Sequence, residues 1–564
     1  MTSFLNQLLD RLDDAKRQFE PGTHKTTEQL LARISRQDIR DAEALIRLHE
    51  ELLFICAYPQ SARARRLAES LLRSFGLRVA DLREAEEDLS PLDPPDVSGI
   101  AGTSVTDTFS YPIVRWLVNR NRGRVQLDWA DFESENRIAE TWPRFIPLVE
   151  EDSSVEANVP YQEWLRTAAG RANKELRWLV RRFESLPVSE KEKAELYNSQ
   201  QLYVNWEPAY RATRTGMRLP VKNVFYHREP LLRRRDVSFE RELESGPPKL
   251  TRLSQQEGEA ILDMAREAST TRYRELYGFT HGDSQRVFRA NVGRGVDIFI
   301  MGLPAERRLP LRAYHAATIF KNGVPVGYFE GLSLFERMES GFNLYYTFRD
   351  GETAWLYART LNVFRHLLRV TAFSLDPYQI GYENEEGIES GAFWFYRKLG
   401  FRSTARAAME LTTKEEARLA QRGGHRTSTH TLKRLAESSM IFELDRSKQG
   451  DWDRFQIRNL GLRAARMMAD KFQGDAQNMQ SDSIKRLARL LGVDIGSLRK
   501  TQLAVFSDFA VTMALVPELN NWTRNEKQLL LQIIRAKAGA DEGKYLKLMQ
   551  RHVKFRAALV KLGS

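Results

Sequence analysis

One cysteine in 564 residues, Cys56, excludes any disulfide within the chain and points to a reducing compartment, the cytoplasm. It lies in an apolar helical stretch, "ELLFICAY", where a thiol acts as a small buried hydrophobe. No apolar run approaches the roughly 18 to 20 residues that a membrane span requires. The longest runs, "VDIFIMGL" (296–303) and "FAVTMALV" (509–516), are core-sized. The start, "MTSFLNQLLDRLDDAKRQFE", carries acids and reads as an amphipathic helix rather than a cleavable leader. His281 and His315 lack metal-ligand spacing with each other or with Cys56, so no metal is expected. "GIAGTS" lacks the lysine and spacing of a nucleotide-phosphate loop. No internal repeat is detectable.

What is present is charge. Lys and Arg number 86 against 75 Asp and Glu, a formal net charge of +11 that favours anionic partners without choosing among them. The length exceeds what one core supports, so several domains are expected. Residues 1–88 read as helices from three-four apolar spacing. A linker rich in Pro, Gly, Ser and Thr follows at 89–107. Residues 108–249 read as a helical and irregular region whose later part, from about 200, has scattered prolines and no sustained period, the mark of an extended connector. The Arg233–Arg235 run in it is a solvated loop, with phosphate contact as the rival reading.

Residues 250–420 differ. Ser254 and Glu257 form a capping-box pattern. "YHAATIF", a turn at Lys321-Asn322-Gly323, "VPVGYFEGLSLF" and "SGFNLYYTF" read as antiparallel strands. "RDGETA", a helix "WLYARTLNVFRHLLR", a strand "VTAFSL", an acidic loop and a short aromatic helix "AFWFYRKLGF" follow. Residues 430–564 read as helices again. The fold class expected is α+β: a mostly antiparallel sheet with helices, flanked by helical N- and C-terminal regions.

The order of elements in 250–420, with Ala392, Tyr396, Gly400 and Phe401 in an A-x-x-x-Y-x-x-x-G-F pattern, resembles the GNAT superfamily of N-acyltransferases. The resemblance implies a co-substrate, acetyl-coenzyme A or another acyl-coenzyme A. Its pyrophosphate would rest on the turn of Arg349, Asp350, Gly351, Glu352, Thr353 and Ala354, and Tyr396 would protonate the leaving thiolate. The physics of that turn agrees, since a loop entering a helix offers unpaired N–H groups to an anion.

An amine acceptor needs a base. Glu330, flanked by Tyr328, Phe329 and Gly331, is the favoured candidate, ahead of Glu339 and Asp350. The loop "YENEEGIES" would attract a cationic amine if it lay beside the site. The function expected is transfer of an acyl group from acyl-coenzyme A to an amine-bearing small molecule or a protein lysine. Two alternatives keep the fold: a non-enzymatic binding or scaffold protein, and an aminoacyl-tRNA-dependent transferase. A nucleic-acid partner ranks below these. "SIKRLARLLGVDIGSLRK" (483–500) carries Ala488, Gly492 and Leu498 at helix-turn-helix spacing, but ordinary helix pairs share that pattern.

Overall fold

The computed structural model describes residues 4–20, 22–130, 137–145, 160–170, 174–421 and 424–564, so part of the helical reading of 108–249 lies outside the described residues. The chain is α+β, with a mostly antiparallel sheet and many helices. It forms two compact units. Unit 1 is Met1–Pro230 with Leu262–Thr280 and Asn322–Pro325; unit 2 is Leu231–Ile261, His281–Lys321 and Val326–Ser564. Among the described residues, no helix is long and apolar enough to cross a membrane.

Unit 1 opens with five helices between Phe4 and Glu84, and Cys56 is fully buried in the third. It also holds a small antiparallel sheet, of order β1-β3-β2, from β1 (Val105–Asp107), β2 (Val125–Leu127) and β3 (Val204–Trp206). The stretch read as an extended connector thus supplies the central strand. Trp206 packs in a core with Tyr111, Trp142, Phe183 and Tyr197, and a three-residue strand is too short to give a period.

Two acids, Glu51 buried and Glu267 half-buried, make unit 1 sensitive to pH. Burial pushes Glu267 up to about 7 against the pull of Arg120. Glu51 also reaches about 7 through burial, against the pull of Lys16. The native state therefore holds these protons where an unfolded carboxyl has lost them. The resulting stability is complete below the ordinary carboxylate value and is lost as pH rises through about 7. Glu267→Gln is expected to raise the unfolding temperature at about pH 8 while leaving it near wild type at about pH 5. Thermal scans at both values check this, and an equal shift at both would contradict it.

Unit 2 is built on a nine-stranded sheet of order β11-β12-β10-β9-β8-β7-β6-β5-β4. The strands are β4 (Lys249–Arg252), β5 (Val287–Gly293), β6 (Val296–Met301), β7 (Ala313–Lys321), β8 (Val324–Leu334), β9 (Arg337–Leu344), β10 (Ala372–Leu375), β11 (Arg402–Ser403) and β12 (Met440–Glu443). The expected local signals are in place. Ser254 and Glu257 cap each other's amides at 2.9 and 3.3 Å, and Asn322 and Gly323 turn β7 into β8 with φ of 48° and 81°. Gly400, at φ 103°, ends the aromatic helix Ala392–Arg397 and its last turn.

The pairing of β9 with β10 is parallel, and the helix Thr353–Leu368 crosses between these two strands. Their register runs only from Arg337–Ala372 to Glu339–Ser374, while β9 continues to Leu344 without β10. One sheet face carries Phe329, Ser340 and Phe342. Phe329 stacks on Phe364 of the crossover helix, and Phe342 and Ser340 meet Tyr357 of the same helix. The opposite face carries Glu330, Leu332, Arg337 and Glu339, because paired residues share a face and faces alternate along a strand.

One reading of the C-terminal region needs correction. Residues 430–564 are not wholly helical: β12 lies between β10 and β11, and four residues leave too short a trace to register. The stretch 483–500 holds two helices set further apart than the helix-turn-helix spacing. The helix Ala476–Leu491 ends at Gly492, a single tight turn covers Ile495–Ser497, and the next helix begins only at Lys500. The Asp494 carboxylate accepts the Gly496 amide at 3.0 Å, and the Gln502 side chain accepts the Arg499 amide at 3.0 Å, which fixes the later start.

Candidate functional site

β8 alternates Gly327, Phe329 and Gly331 toward the crossover helix with Tyr328, Glu330 and Leu332 toward the other face. Glu330 is thereby set opposite Gly341 of β9. The Tyr314 hydroxyl, from β7, donates to its carboxylate. Burial raises the Glu330 carboxyl above the usual range, and the Tyr314 hydrogen bond opposes that rise. Gly341 leaves the space across from it open; a side chain there would meet Gln379 at 3.7 Å.

The same face opens into a pocket of about 1200 Å³. Leu332 and Leu334 of β8, Arg337 and Glu339 of β9, and Ser374 just before the end of β10 form part of its floor. Leu332 is two residues from Glu330 on the same strand and face. The pocket therefore lies beside the parallel β9–β10 pair and reaches the carboxyl end of β10. Arg337 crosses it, donating to Ser374 Oγ at 2.9 Å, with Trp452 and Phe455 rings 5.6 and 5.7 Å away. Trp452 is held by its indole N–H, which donates to Glu336 at 3.0 Å, and Arg556 binds the same carboxylate. Glu339, the second candidate base, has Arg312 at 3.5 Å and Arg337 at 3.6 Å.

The chain matches no protein-family model, no curated protein and no solved structure. The site is therefore read from its own geometry.

The turn of residues 349–354 follows β9 and starts the crossover helix. Its Glu352 carboxylate is turned inward, fully buried, where it pairs with Arg294, lies 3.4 Å from Lys321 and accepts the Leu232 amide at 3.2 Å. That side chain takes no part in a surface site. Arg349 stacks on Tyr346 at 3.9 Å, donates to the Leu344 carbonyl at 3.3 Å and pairs with Glu386. The acidic loop thus spends one carboxylate on Arg349 and another, Glu385, on Lys433. Gly351 N–H donates to Phe348 O at 3.0 Å and Thr353 Oγ1 to Arg349 O at 2.9 Å, which tightens the turn. Asp350 is exposed and Ala354 buried. The turn starts a 16-residue helix at Thr353 and Ala354, with the Arg349 guanidinium shared with Glu386.

Tyr396 is buried in an aromatic cluster, 5.5 Å from the Tyr357 ring and 5.7 Å from Phe401. Phe239 stacks on Tyr357 at 5.6 Å and closes that cluster. Burial holds the Tyr396 hydroxyl well above its ordinary value, so it keeps its proton at neutral pH. Through Tyr357, Tyr396 belongs to the Ser340 face, whereas Glu330 belongs to the Glu339 face. The sequence-stated acid and base are therefore on opposite sides of the sheet. Trp452, Arg454 and Arg458 were missed because they fall in the stretch read as helical. The short apolar "MIFE" between Ser438-Ser439 and Leu444-Asp445 was the available strand signal.

Proposed function

We propose that unit 2 transfers an acyl group from a thioester, acyl-coenzyme A, to an amine. What carries the reading is Glu330: a carboxylate with a raised pKa, beside a large pocket, at the one parallel crossover of an antiparallel sheet. The run of antiparallel strands, then strand, turn, helix and parallel strand, is the order that the GNAT resemblance implies.

The thioester supplies an activated acyl group. Glu330 takes the proton of the attacking amine as the N–C bond forms. Tyr396, still protonated, donates to the sulfur as the C–S bond breaks. Since the two residues belong to opposite faces, the donor approaches on the Tyr396 side and the acceptor on the Glu330 side. The acyl carbon passes beyond Glu339, where β9 runs on without β10. Arg349 with the Thr353 and Ala354 amides would hold the pyrophosphate.

Calorimetry with acetyl-coenzyme A and coenzyme A tests this. Micromolar binding is expected, lost in an Arg349→Ala, Thr353→Tyr double variant; no binding by folded wild type would overturn the reading. Because Arg349 is shared with Glu386, Glu386→Gln is expected to tighten coenzyme A binding about two- to fivefold, the worth of one half-exposed ion pair. The competing reading, a binding protein without chemistry, draws on the enclosure of Tyr396 under Tyr357 and Phe239. It predicts no coenzyme A binding at all.

A further inference from the structure

We propose that the 1200 Å³ pocket takes an acceptor that carries an anionic group, carboxylate or phosphate, as well as its amine, and that Arg454 and Arg458 hold the anion. The word acceptor rests on the acyl-transfer reading; the anion site rests on the pocket alone.

The argument is the charge pairing around the pocket wall. Of its five arginines, Arg312 and Arg337 flank Glu339, and Arg406 pairs with Glu410 at 2.9 Å. The wall's Asp453 is engaged from outside by both nitrogens of Arg402, at 3.0 and 2.8 Å. Arg454 and Arg458 remain. Among the described residues neither forms an ion pair, although both line a concave surface where a guanidinium would gain from one. They lie either side of the start of the helix Ile457–Phe472, on backbone held by the Gln456 amide donating to Gly563 O at 2.9 Å.

The lining also carries an acid without a close cation, within the field of Arg337. Asp376, just past the end of β10, lines the wall and forms no ion pair among the described residues; its carboxylate accepts only the Tyr378 amide, at 2.9 Å. Glu330 lies beyond Leu332 on the sheet floor. A ligand with a cation for these carboxylates and an anion for Arg454 and Arg458 satisfies both. An uncharged-tail amine leaves both arginines unused.

The test measures binding first. Wild type is titrated calorimetrically with two pairs of probes: β-alanine against propylamine, and O-phosphoethanolamine against ethanolamine. The anionic member of at least one pair is expected to bind at least about tenfold more tightly, and the pair that does so distinguishes carboxylate from phosphate. Arg454→Ala with Arg458→Ala, at two exposed positions, is expected to erase that difference, and the corresponding double lysine variant to keep most of it. Equal binding within both pairs, a preference that survives the double alanine variant, or no binding of any probe to folded wild type overturns the proposal. Acetyl-coenzyme A is then added to the bound probe. Binding without acylation leaves the anion site standing and removes the transferase reading.

Discussion

Glu352→Ala is expected to destabilise unit 2 by about 3–5 kcal/mol, the cost of leaving buried charge without its partner. Glu352 is fully buried with Arg294 and Lys321 around it. Arg294 retains a path to solvent, with its side chain a quarter exposed, but the Lys321 ammonium has none. Lys321 already lies at about 8, lowered by burial and held up by Glu352. Without that carboxylate it falls further and folds neutral. Between its folded and unfolded values the unfolded chain binds the extra proton, so stability rises with pH across that window. Wild-type Lys321 gains the same slope only above about pH 8, so the variant's deficit in denaturant unfolding is expected to shrink as pH rises toward about 8 and to stay level above it. Lys321→Met combined with Glu352→Leu should recover most of the loss, since an apolar replacement removes the buried charges together. A deficit under about 1 kcal/mol with no pH slope would mean that the cluster does not hold this part of the fold.

The second large effect concerns chemistry. Glu330→Gln is expected to lower the rate of amine acylation by about 10²–10⁴, the usual worth of a positioned base, while coenzyme A binding stays unchanged. Tyr314→Phe gives the discriminating measurement. The Tyr314 hydroxyl stabilises the ionised carboxylate, so its loss raises the Glu330 pKa further. The acid limb of the kcat/KM profile then moves to higher pH. A Glu330→Gln variant with wild-type turnover, or an acid limb unmoved in Tyr314→Phe, removes Glu330 from the reaction.

Local signals carried the legible part of this fold. Ser254 with Glu257, Asn322 with Gly323, and Gly400 each encode a backbone conformation within a few residues, and each is found in its expected role. The α+β class followed from strand-like alternation giving way to helical spacing. What sequence could not disclose was pairing at long range. Glu352 meets Arg294 and Lys321 from 58 and 31 residues away, and neither neighbour is marked by local pattern. The opposite facing of Glu330 and Tyr396 depends on the register of β8 against β9 and on which face the crossover helix covers. Neither is fixed until the sheet is assembled. The pocket was hidden for a related reason: part of its wall comes from residues 437–458, around a strand four residues long.

The division of the chain bears on the order in which it is made. Unit 1 draws its last pieces, Leu262–Thr280 and Asn322–Pro325, from within the span that otherwise builds unit 2. Pro325 follows Pro230 by 95 residues, about 5 to 20 seconds of ribosomal synthesis. During that interval the first 230 residues wait without the segment that bears Asp263, to which the Trp116 indole donates at 2.8 Å, and without Thr271, whose carbonyl accepts the Ser98 hydroxyl at 2.7 Å. A nascent chain released at residue 230 or 250 is therefore an incomplete unit 1, and a fragment beginning at 250 carries pieces of unit 1 with nothing to join. Unit 1 is complete only once residue 325 has been made.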